Sequence, residues 1–324
     1  MSALTDSLTA EQAIAQAAER CRNWGRWGSD DRLGTVNFID TDKRRQAAAL
    51  VRRGVALSLS QSFDTDGPQK GWRRRTNPVH TMTDTGTDAA AGKQGFPHGL
   101  GGADDVIAMP LQCSTQWDGL GHIFDHGQAW NGRPAGDVVT SEGDLVTGIE
   151  HLASPVVSRG VLLDVGRALG TDGELPDGFA ITEQHLRATI DAQGPTAAVG
   201  RGDIVVVRTG RLSRARREGW GDYAGGAAPG LSFFTADWLH RSEIAAIATD
   251  TWGFEVRPNE FPTSFQPLHQ VAIPNIGLLI GEMWDLEALA DDCAADGVYE
   301  FLLTAAPLKV TGAVGAPVNP VAVK

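Results

Sequence analysis

Apolar and polar positions in the second half of the chain follow two alternating patterns. Short, almost continuous apolar runs bounded by polar residues predict buried strands. Helical patterns lie between these runs, at 182–193, where Gly194 follows, and at 235–241. The predicted strands are 160–165, 203–208, 244–249 and 300–306. Because strand and helix patterns alternate, the sequence predicts an α/β protein with a mixed sheet.

The first half of the chain begins with helical patterns. The first 25 residues predict a helix, because Thr9 and Gln12 have the spacing of a capping box and an Ala-rich run follows. A second helix is predicted over 41–53, and the alternation over 55–63 predicts a strand with one buried face. No repeat or linker is found. We therefore expect one domain at 55–324, preceded by an N-terminal helical extension at 1–54.

Residues 64–104 are rich in Gly, Thr, Asp and basic residues and show little periodicity. Long loops of this kind are uncommon inside compact domains and often form lids over functional sites. The basic run Arg73–Arg75 lies in this segment. It is either a solvated turn or a clamp for a substrate carboxylate.

Composition narrows the class of partner. The 324 residues include 28 Lys and Arg and 40 Asp and Glu, a formal net charge of −12, which argues against nucleic acid and anionic membranes as partners. We expect a small-molecule substrate. No apolar run approaches the ~20 residues of a membrane helix. The three cysteines are far apart and form no disulfide framework or zinc knuckle, which favours a cytoplasmic protein.

The densest set of side chains able to bind a metal lies in one short segment. Gln116, Asp118 and His122 offer an amide oxygen, a carboxylate and an imidazole. Asp118 and His122 would share one face of a helix, whereas Gly119 and Gly121 favour a loop that approaches another group closely. The residues alone leave open a metal site or a structural histidine.

A second group of candidates lies further along. The apolar run 276–280 predicts a buried strand, and Glu282 follows at the carboxyl end, where open α/β sheets keep their reactive groups. A buried carboxylate must be paired, protonated or bound to a cation. His269 precedes the run. A salt bridge to an arginine is the alternative for Glu282, but no basic residue lies near it in sequence.

The segment Thr115-Gln-Trp-Asp-Gly-Leu-Gly-His122 resembles the signature of the cyclase family of metal-dependent hydrolases, which includes bacterial kynurenine formamidase and isatin hydrolase. The family pattern is H-x-G-T-H-x-D-x-x-x-H, and Asp118 and His122 match its aspartate and its last histidine. His269 and Glu282 fall in the order and approximate spacing of the family's second half. The resemblance implies a barrel-like mixed sheet flanked by helices, of the swivelling β/β/α type.

Three positions depart from the family pattern, and one of them is Ser114 in place of its glycine. Gln112 and Gln116 stand where the family has metal-binding histidines. Because the remaining set is richer in oxygen, a single divalent ion is predicted, with Mn²⁺ favoured over Zn²⁺. The metal ligands that the resemblance implies are Gln116, Asp118, His122, His269 and Glu282.

The resemblance implies hydrolysis of a cyclic amide, an N-acyl amide or a lactone by a metal-activated water. His122 matches the family's catalytic histidine and would act as general base and then as acid. His269 and Glu282 are the other catalytic candidates. The missing histidines leave an alternative, in which the chain is a metal-free acid–base isomerase or lyase, or a non-catalytic binding relative.

Three further residues are candidates for the substrate pocket. Trp117 would form a pocket wall, and His126 would face either the pocket or solvent. Asp250 would either orient a ligand histidine or end a strand. Candidates for substrate contact, with surface ion pairs as the alternative, are Arg208, Glu255 and Arg257.

The first predicted helix carries an apolar stripe, which we expect to pack on a second subunit. Members of the resembled family are commonly homo-oligomers, so a homodimer or homotetramer is expected. The stripe consists of Ile14, Ala17, Ala18 and Cys21.

Overall fold

The protein is built around one mixed β-sheet, in a computed structural model that describes residues 9–324. The strands are β1 (Ala56–Ser58), β2 (Val79–Asp84), β3 (Asp104–Ala108), β4 (Gln116–Asp118), β5 (Val139–Thr140), β6 (Gly143–Asp144), β7 (Val157–Asp164), β8 (Ala180–Ile181), β9 (Ile204–Arg208), β10 (Gly230–Leu231), β11 (Ala246–Thr249), β12 (Leu279–Glu282), β13 (Glu300–Thr304), β14 (Gly315–Pro317) and β15 (Val321–Val323). The helices are α1 (Ala10–Arg20), α2 (Thr41–Ala48), α3 (Gly86–Ala90), α4 (Ala135–Val138), α5 (Val165–Leu169), α6 (Glu183–Gln193), α7 (Arg211–Glu218), α8 (Ala236–Arg241), α9 (Pro267–Val271) and α10 (Glu287–Asp296).

The central sheet has nine strands in the order β1-β15-β13-β7-β9-β11-β12-β4-β14. The four middle strands β7, β9, β11 and β12 are parallel, and the outer strands add in antiparallel fashion on both sides. The sheet curls into a half-barrel with helices against it. The predicted fold class, a mixed α/β fold with a barrel-like sheet, is therefore confirmed.

The middle strands are buried because apolar side chains project from both of their faces and pack into a core layer on each side. In β9, Val205 and Val207 pack into one core layer, while Ile204 and Val206 pack into the other. This alternation follows from the two-residue period of a strand. Apolar residues on both faces make such strands continuous hydrophobic runs, which is why the sequence pattern identifies them.

Side-chain caps mark the starts of two predicted helices. Thr9 caps α1 in the predicted capping box with Gln12, and the part of that prediction before Thr9 lies outside the described residues. Thr182 caps α6, and Gly194 ends it, as predicted. The predicted helix 41–53 is too long, since α2 ends at Ala48.

The apolar stripe of α1 packs inside this chain, so its expected contact with a second subunit is wrong. Ile14 and Ala17 join one core layer, and α1 lies against α9. The helix α2 packs against β7 in the same way. The segment expected as a helical extension is thus in contact with the central sheet and its helices.

The segment 64–104 contains regular structure that the sequence did not predict. It contains α3, and β2 pairs with β3 in an antiparallel hairpin whose side chains are exposed throughout. Sequence periodicity missed the hairpin because neither of its faces is buried. The predicted strand 55–63 is shortened to β1, after which the Leu59 amide donates to the Pro320 carbonyl instead.

Candidate metal centre

The adjacent strands β4 and β12 bring the two halves of the candidate site together. They are antiparallel, with Gln116 opposite Glu282 and Trp117 opposite Gly281. Because side chains alternate along a strand, Gln116 and Asp118 project from the same face, and cross-strand Glu282 joins them there. The glycines at 119 and 121 follow β4 rather than belonging to it, which is why the sequence predicted a loop.

His269 reaches this cluster from α9, and Glu255 fixes its orientation. The Glu255 carboxylate accepts the backbone amides of Leu268 and His269, each at 3.1 Å. It also lies 2.5 Å from His269 Nδ1. This leaves Nε2 facing Glu282 Oε1 at 3.2 Å. Glu255 thus caps α9 and holds the imidazole, and is neither a substrate contact nor a surface pair. No sequence motif marks this role.

Gln116 links the two carboxylates of the cluster. Its Nε2 donates to Asp118 Oδ1 at 3.1 Å and to Glu282 Oε2 at 3.0 Å. Its Oε1 is buried and has no hydrogen-bond partner among the described residues. A half-turn of the amide would exchange these two atoms. The oxygen would then face two carboxylates, an arrangement that requires a cation between them.

The donor set fits one divalent cation. Asp118, His269 and Glu282 are all buried, and one ligand atom from each lies within 4.8 Å of the others. Within residues 9–324, no Lys or Arg lies within 4 Å of either carboxylate. Two buried carboxylates this close are unfavourable without positive charge between them. Gln112 stands apart, with its amide beside Gly315.

The electrostatics of the cluster follow from its burial. Burial raises the pKa of Asp118, against the opposing influence of His122. Burial lowers the pKa of His122, so the neutral imidazole is favoured, although Asp118 acts in the other direction. Burial also opposes protonation of His269, but the hydrogen bonds to Glu255 and Glu282 raise its pKa to about 10. The neutral imidazole of His122 is therefore the group able to accept a proton, whereas His269 would release its Nε2 proton to bind a cation.

His122 connects the buried cluster to an open cavity of about 540 Å³. Its Nε2 lies 3.7 Å from Asp118 Oδ1. The tight turn before it needs glycine, because a Cβ at Gly121 would lie 2.2 Å from Asp144 Oδ2. The ring of Trp72 stacks on that of Phe265, with centroids 5.3 Å apart. The cavity lining comprises Trp72, Arg73, His122, Ile123, Phe124, Ser264, Phe265, Gln266 and Gln270.

The three residues predicted to line the pocket lie elsewhere. Trp117 points to the opposite face of β4, into the core, where its indole donates to the Ala305 carbonyl at 2.7 Å. His126 is exposed and pairs with Asp125. Asp250 is a strand-end residue that accepts hydrogen bonds from Thr209 and Gly210. The pocket interpretation is therefore wrong for all three.

The two arginines predicted to contact substrate have other roles. Arg208 pairs with Asp164 at 3.0 Å and with Glu287 at 2.7 Å, so it is a buried structural cation. Arg257 lies over the ring of Phe265, with its guanidinium carbon 5.2 Å from the ring centre. Neither arginine belongs to the lining of the cavity beside His122.

Comparisons with known proteins identify related sequences and folds. A sequence model of the Cyclase family, described as "Putative cyclase", matches residues 57–256. The crystal structure of a novel cyclase is 38% identical, and the match covers 94% of this chain and 99% of that chain with a TM-score of 0.86. A comparison with curated proteins found no match.

Two more distant structures share the fold. Isatin hydrolase A from Labrenzia aggregata, bound to benzyl benzoate, is 16% identical over 85% of this chain and 94% of that chain, with a TM-score of 0.60. A protein described as a predicted metal-dependent hydrolase from Bacillus stearothermophilus is 16% identical over 84% and 98%, with a TM-score of 0.51. At this identity the likeness concerns the fold alone.

Proposed function

The chain belongs to the Cyclase family, and from this premise we propose that it is a metal-dependent hydrolase. Its substrate would be a cyclic amide, an N-acyl amide or a lactone. The observation that carries the proposal is the buried cluster of Asp118, His269 and Glu282, which reaches an open cavity through His122. Two distant structural neighbours, an isatin hydrolase and a predicted metal-dependent hydrolase, are consistent with this class.

Asp118, His269 and Glu282 would hold a single divalent cation. Gln116 would offer Oε1 as a further ligand after the half-turn of its amide. This mostly oxygen set favours Mn²⁺ over Zn²⁺. When bound, such a cation would polarise the substrate carbonyl and lower the pKa of a water molecule toward ~7.

His122 is the group placed to move protons. It lines the cavity on one side and lies against Asp118 on the other. Its neutral imidazole would accept a proton from the attacking water. It would then return that proton to the leaving nitrogen or oxygen. Asp118 would orient the ring during both transfers.

The aromatic wall of the cavity would position the substrate. Trp72 and Phe265 present stacked rings at the cavity lining, and flat apolar surfaces of this kind bind planar groups well. Holding the substrate against this wall would keep its carbonyl near His122. Orientation of this kind contributes to catalysis by removing the entropic cost of bringing the groups together.

The experiment is metal analysis of the purified full-length protein beside two variants. Wild type is expected to carry about one Mn or Zn per chain. Asp118→Ala is expected to lose both the metal and turnover of a panel of lactones, cyclic amides and N-formyl compounds. Asp105→Ala, which removes an exposed carboxylate from the hairpin, is the matched control and is expected to retain both. Two tightly held zinc ions per chain would refute the single-ion site.

The hydrogen bonds of Gln116 favour a second candidate function. Its Nε2 already donates to both carboxylates and so partly offsets their repulsion without a cation. His122 and Glu282 could then act as a metal-free acid–base pair in an isomerisation or elimination. Treatment with a chelator separates the two candidates. Activity that survives complete metal removal would support the acid–base enzyme and exclude the hydrolase.

A further inference from the structure

Arg75 differs from the other buried arginines of the protein. Only 8% of its surface is exposed, yet within residues 9–324 no carboxylate lies within 4 Å of its guanidinium and no acceptor hydrogen-bonds to it. Arg208 and Arg211 are equally buried, and each is paired with carboxylates, Arg211 with Asp177 at 3.2 Å. The guanidinium carbon of Arg75 lies 5.5 Å from the centre of the Trp252 ring, and none of its nitrogens is among the completely buried atoms without a partner.

A contact of this kind leaves the charge incompletely compensated. Cation–π attraction is much weaker than the cost of removing a full charge from water. Buried cations are therefore normally paired with an anion. Because this chain offers Arg75 no such anion, the missing partner is expected to come from outside the chain.

The positive charge of Arg75 acts on two residues of the metal centre. Burial is the main influence on the pKa of both Asp118 and His122, and the positive charge of Arg75 lowers both values. Trp252, whose ring contacts Arg75, packs edge to face against Trp72 with ring centroids 4.9 Å apart. Trp72 lines the cavity together with His122 and Arg73. Arg75 is not itself among the lining residues, and the rings of Trp252 and Trp72 connect it to the cavity.

The backbone that carries Arg75 is held in an uncommon conformation. Arg73 and Arg74 both have positive φ values, of 50° and 62°, which cost energy for residues other than glycine. Hydrogen bonds of the Asn77 side chain stabilise the loop. Its Nδ2 donates to the carbonyls of Thr65 and Gly67, and its Oδ1 accepts from the amide of Gln69. Strain that the surrounding structure maintains is a frequent property of binding sites.

We propose that Arg75 is the carboxylate receptor of this site, and that the enzyme acts on a substrate with a carboxylate near a planar ring. This inference rests on the proposed function. Arg75 would pair with the carboxylate while the ring lies against Trp72 and Phe265. The carboxylate is either carried by the substrate throughout or formed from the reacting carbonyl on hydrolysis. Both sources have the same chemistry and require the same buried guanidinium.

The binding test compares benzoate with benzamide, its neutral counterpart, and follows the tryptophan fluorescence of the full-length protein. Wild type is expected to bind benzoate at least tenfold more tightly, with an affinity that falls as salt rises. Arg75→Met is expected to abolish this preference, and Arg75→Lys to reduce it. Arg74→Met removes an exposed neighbouring arginine and is expected to leave the preference within twofold.

Stability gives an independent readout that also guards against misfolding. If Arg75 is an uncompensated buried cation, Arg75→Met should raise the melting temperature of the ligand-free protein. A merely structural arginine would give a lower value. Equal affinities for benzoate and benzamide in wild type would overturn the proposal. So would a preference that persists in both Arg75 variants but disappears with a chelator, because the cation would then be the receptor.

Kinetics distinguish the two sources of the carboxylate. If the substrate carries it, Arg75→Met raises KM for a carboxylated substrate and not for its neutral analogue. If hydrolysis creates it, the variant weakens inhibition by the released acid for both substrates. Benzoate binding needs no turnover, so Arg75-dependent binding without any hydrolysis would refute the proposed function and leave Arg75 as a carboxylate-binding residue. Hydrolysis with no effect of Arg75→Met on binding, KM or inhibition would do the reverse.

Discussion

At the scale of single residues, Gln116 decides how strongly the centre can hold a cation. Its amide donates to two carboxylates, and a cation would have to displace those hydrogen bonds. An imidazole at the same position would bind the cation through nitrogen without first releasing such bonds. The neutral amide therefore weakens the site and shifts its preference towards harder ions.

We expect Gln116→His to increase zinc affinity at least tenfold, because it replaces a donor with an imidazole ligand. Competition with a fluorescent zinc indicator measures this change. Gln116→Ala is the control, since it removes the amide without adding a ligand. An equal gain in both variants would show that releasing the carboxylates, rather than adding a nitrogen ligand, determines the affinity.

We expect the stability of the folded protein to depend on pH through the buried carboxyl group of Asp250. Its carboxylate accepts the amides of Thr209 and Gly210 and the Thr209 hydroxyl at 2.7–2.8 Å. Burial raises the pKa of Asp250 to about 6, although Arg208 acts to lower it. Because this value lies above the ordinary 3.8, the folded protein retains a proton that the unfolded chain loses. Wild-type stability therefore falls as pH rises through this range.

Asp250→Asn is expected to lower the free energy of unfolding by about 1–3 kcal/mol, since an amide cannot accept from every donor. The loss should be larger near pH ~5 than near pH ~8, because only the carboxyl group gains stability from protonation. Urea denaturation of both proteins at the two pH values measures the difference. A loss that grows with pH would contradict the direction of the shift.

Some residues of the site could be identified from the sequence, and others could not. The spacing of Asp118 and His122 and the strand-end position of Glu282 identified groups that the structure brings close together. Trp117 was misassigned because its position in a strand, where neighbours point to opposite faces, was hidden by the glycines that follow. Glu255 acts on His269 across fourteen positions, and no local pattern reveals such a contact.

At the scale of elements, the start of α9 is part of the centre. This helix has only five residues and would be marginal alone. Glu255 satisfies two of its free amides and the imidazole with one carboxylate. The same group therefore stabilises the helix and fixes which imidazole nitrogen faces Glu282.

We expect Glu255→Gln to lower metal affinity by about 10–100-fold, as substitutions behind metal ligands commonly do. It should also cost about 1–2 kcal/mol of stability through the weakened cap. Isothermal titration and urea denaturation measure the two effects. Glu260→Gln is the matched control, because Glu260 also accepts a backbone amide, that of Phe233, away from the cluster. It should lower stability without changing metal affinity.

At the scale of the whole molecule, the middle of the sheet was predictable and its margins were not. Strands such as β9 are apolar on both faces and therefore stand out in the sequence. The predicted strand at 276–280 was displaced, because 272–276 forms a π-helical turn and β12 begins only at Leu279. Marginal strands such as β14 are short and depend on pairing with distant residues, which no local pattern encodes.

The β2–β3 hairpin is the surface on which we expect a second copy of the chain. It pairs mainly with itself, and a lone hairpin is marginal in water. Exposed apolar groups of this kind often mark interfaces. The apolar stripe of α1 is not available for such a contact, because it is buried within this chain. The exposed apolar residues of the hairpin are Val79, Met82, Val106 and Ile107.

Among residues 9–324, no helix has the length and the apolar character of a membrane span.

Light scattering at micromolar concentration is expected to give a dimer or tetramer for wild type. The double substitution Val106→Glu and Ile107→Lys should shift it to monomer without loss of secondary structure, because it places charges on the apolar surface. Thr87→Glu, on an exposed position of α3 outside the strands of the hairpin, tests whether added charge alone has this effect. A monomeric wild type would contradict the expected oligomer.

The pairing of β4 with β12 also has a consequence for the order of folding. Gln116 and Glu282 are 166 positions apart, so the ligands meet only after a long chain closure, which is slow for contacts of this separation. A cation would then find its binding groups assembled only at the end of the process. Added Mn²⁺ should leave the refolding rate in stopped-flow experiments unchanged and should slow unfolding, because it binds a state that forms after the barrier.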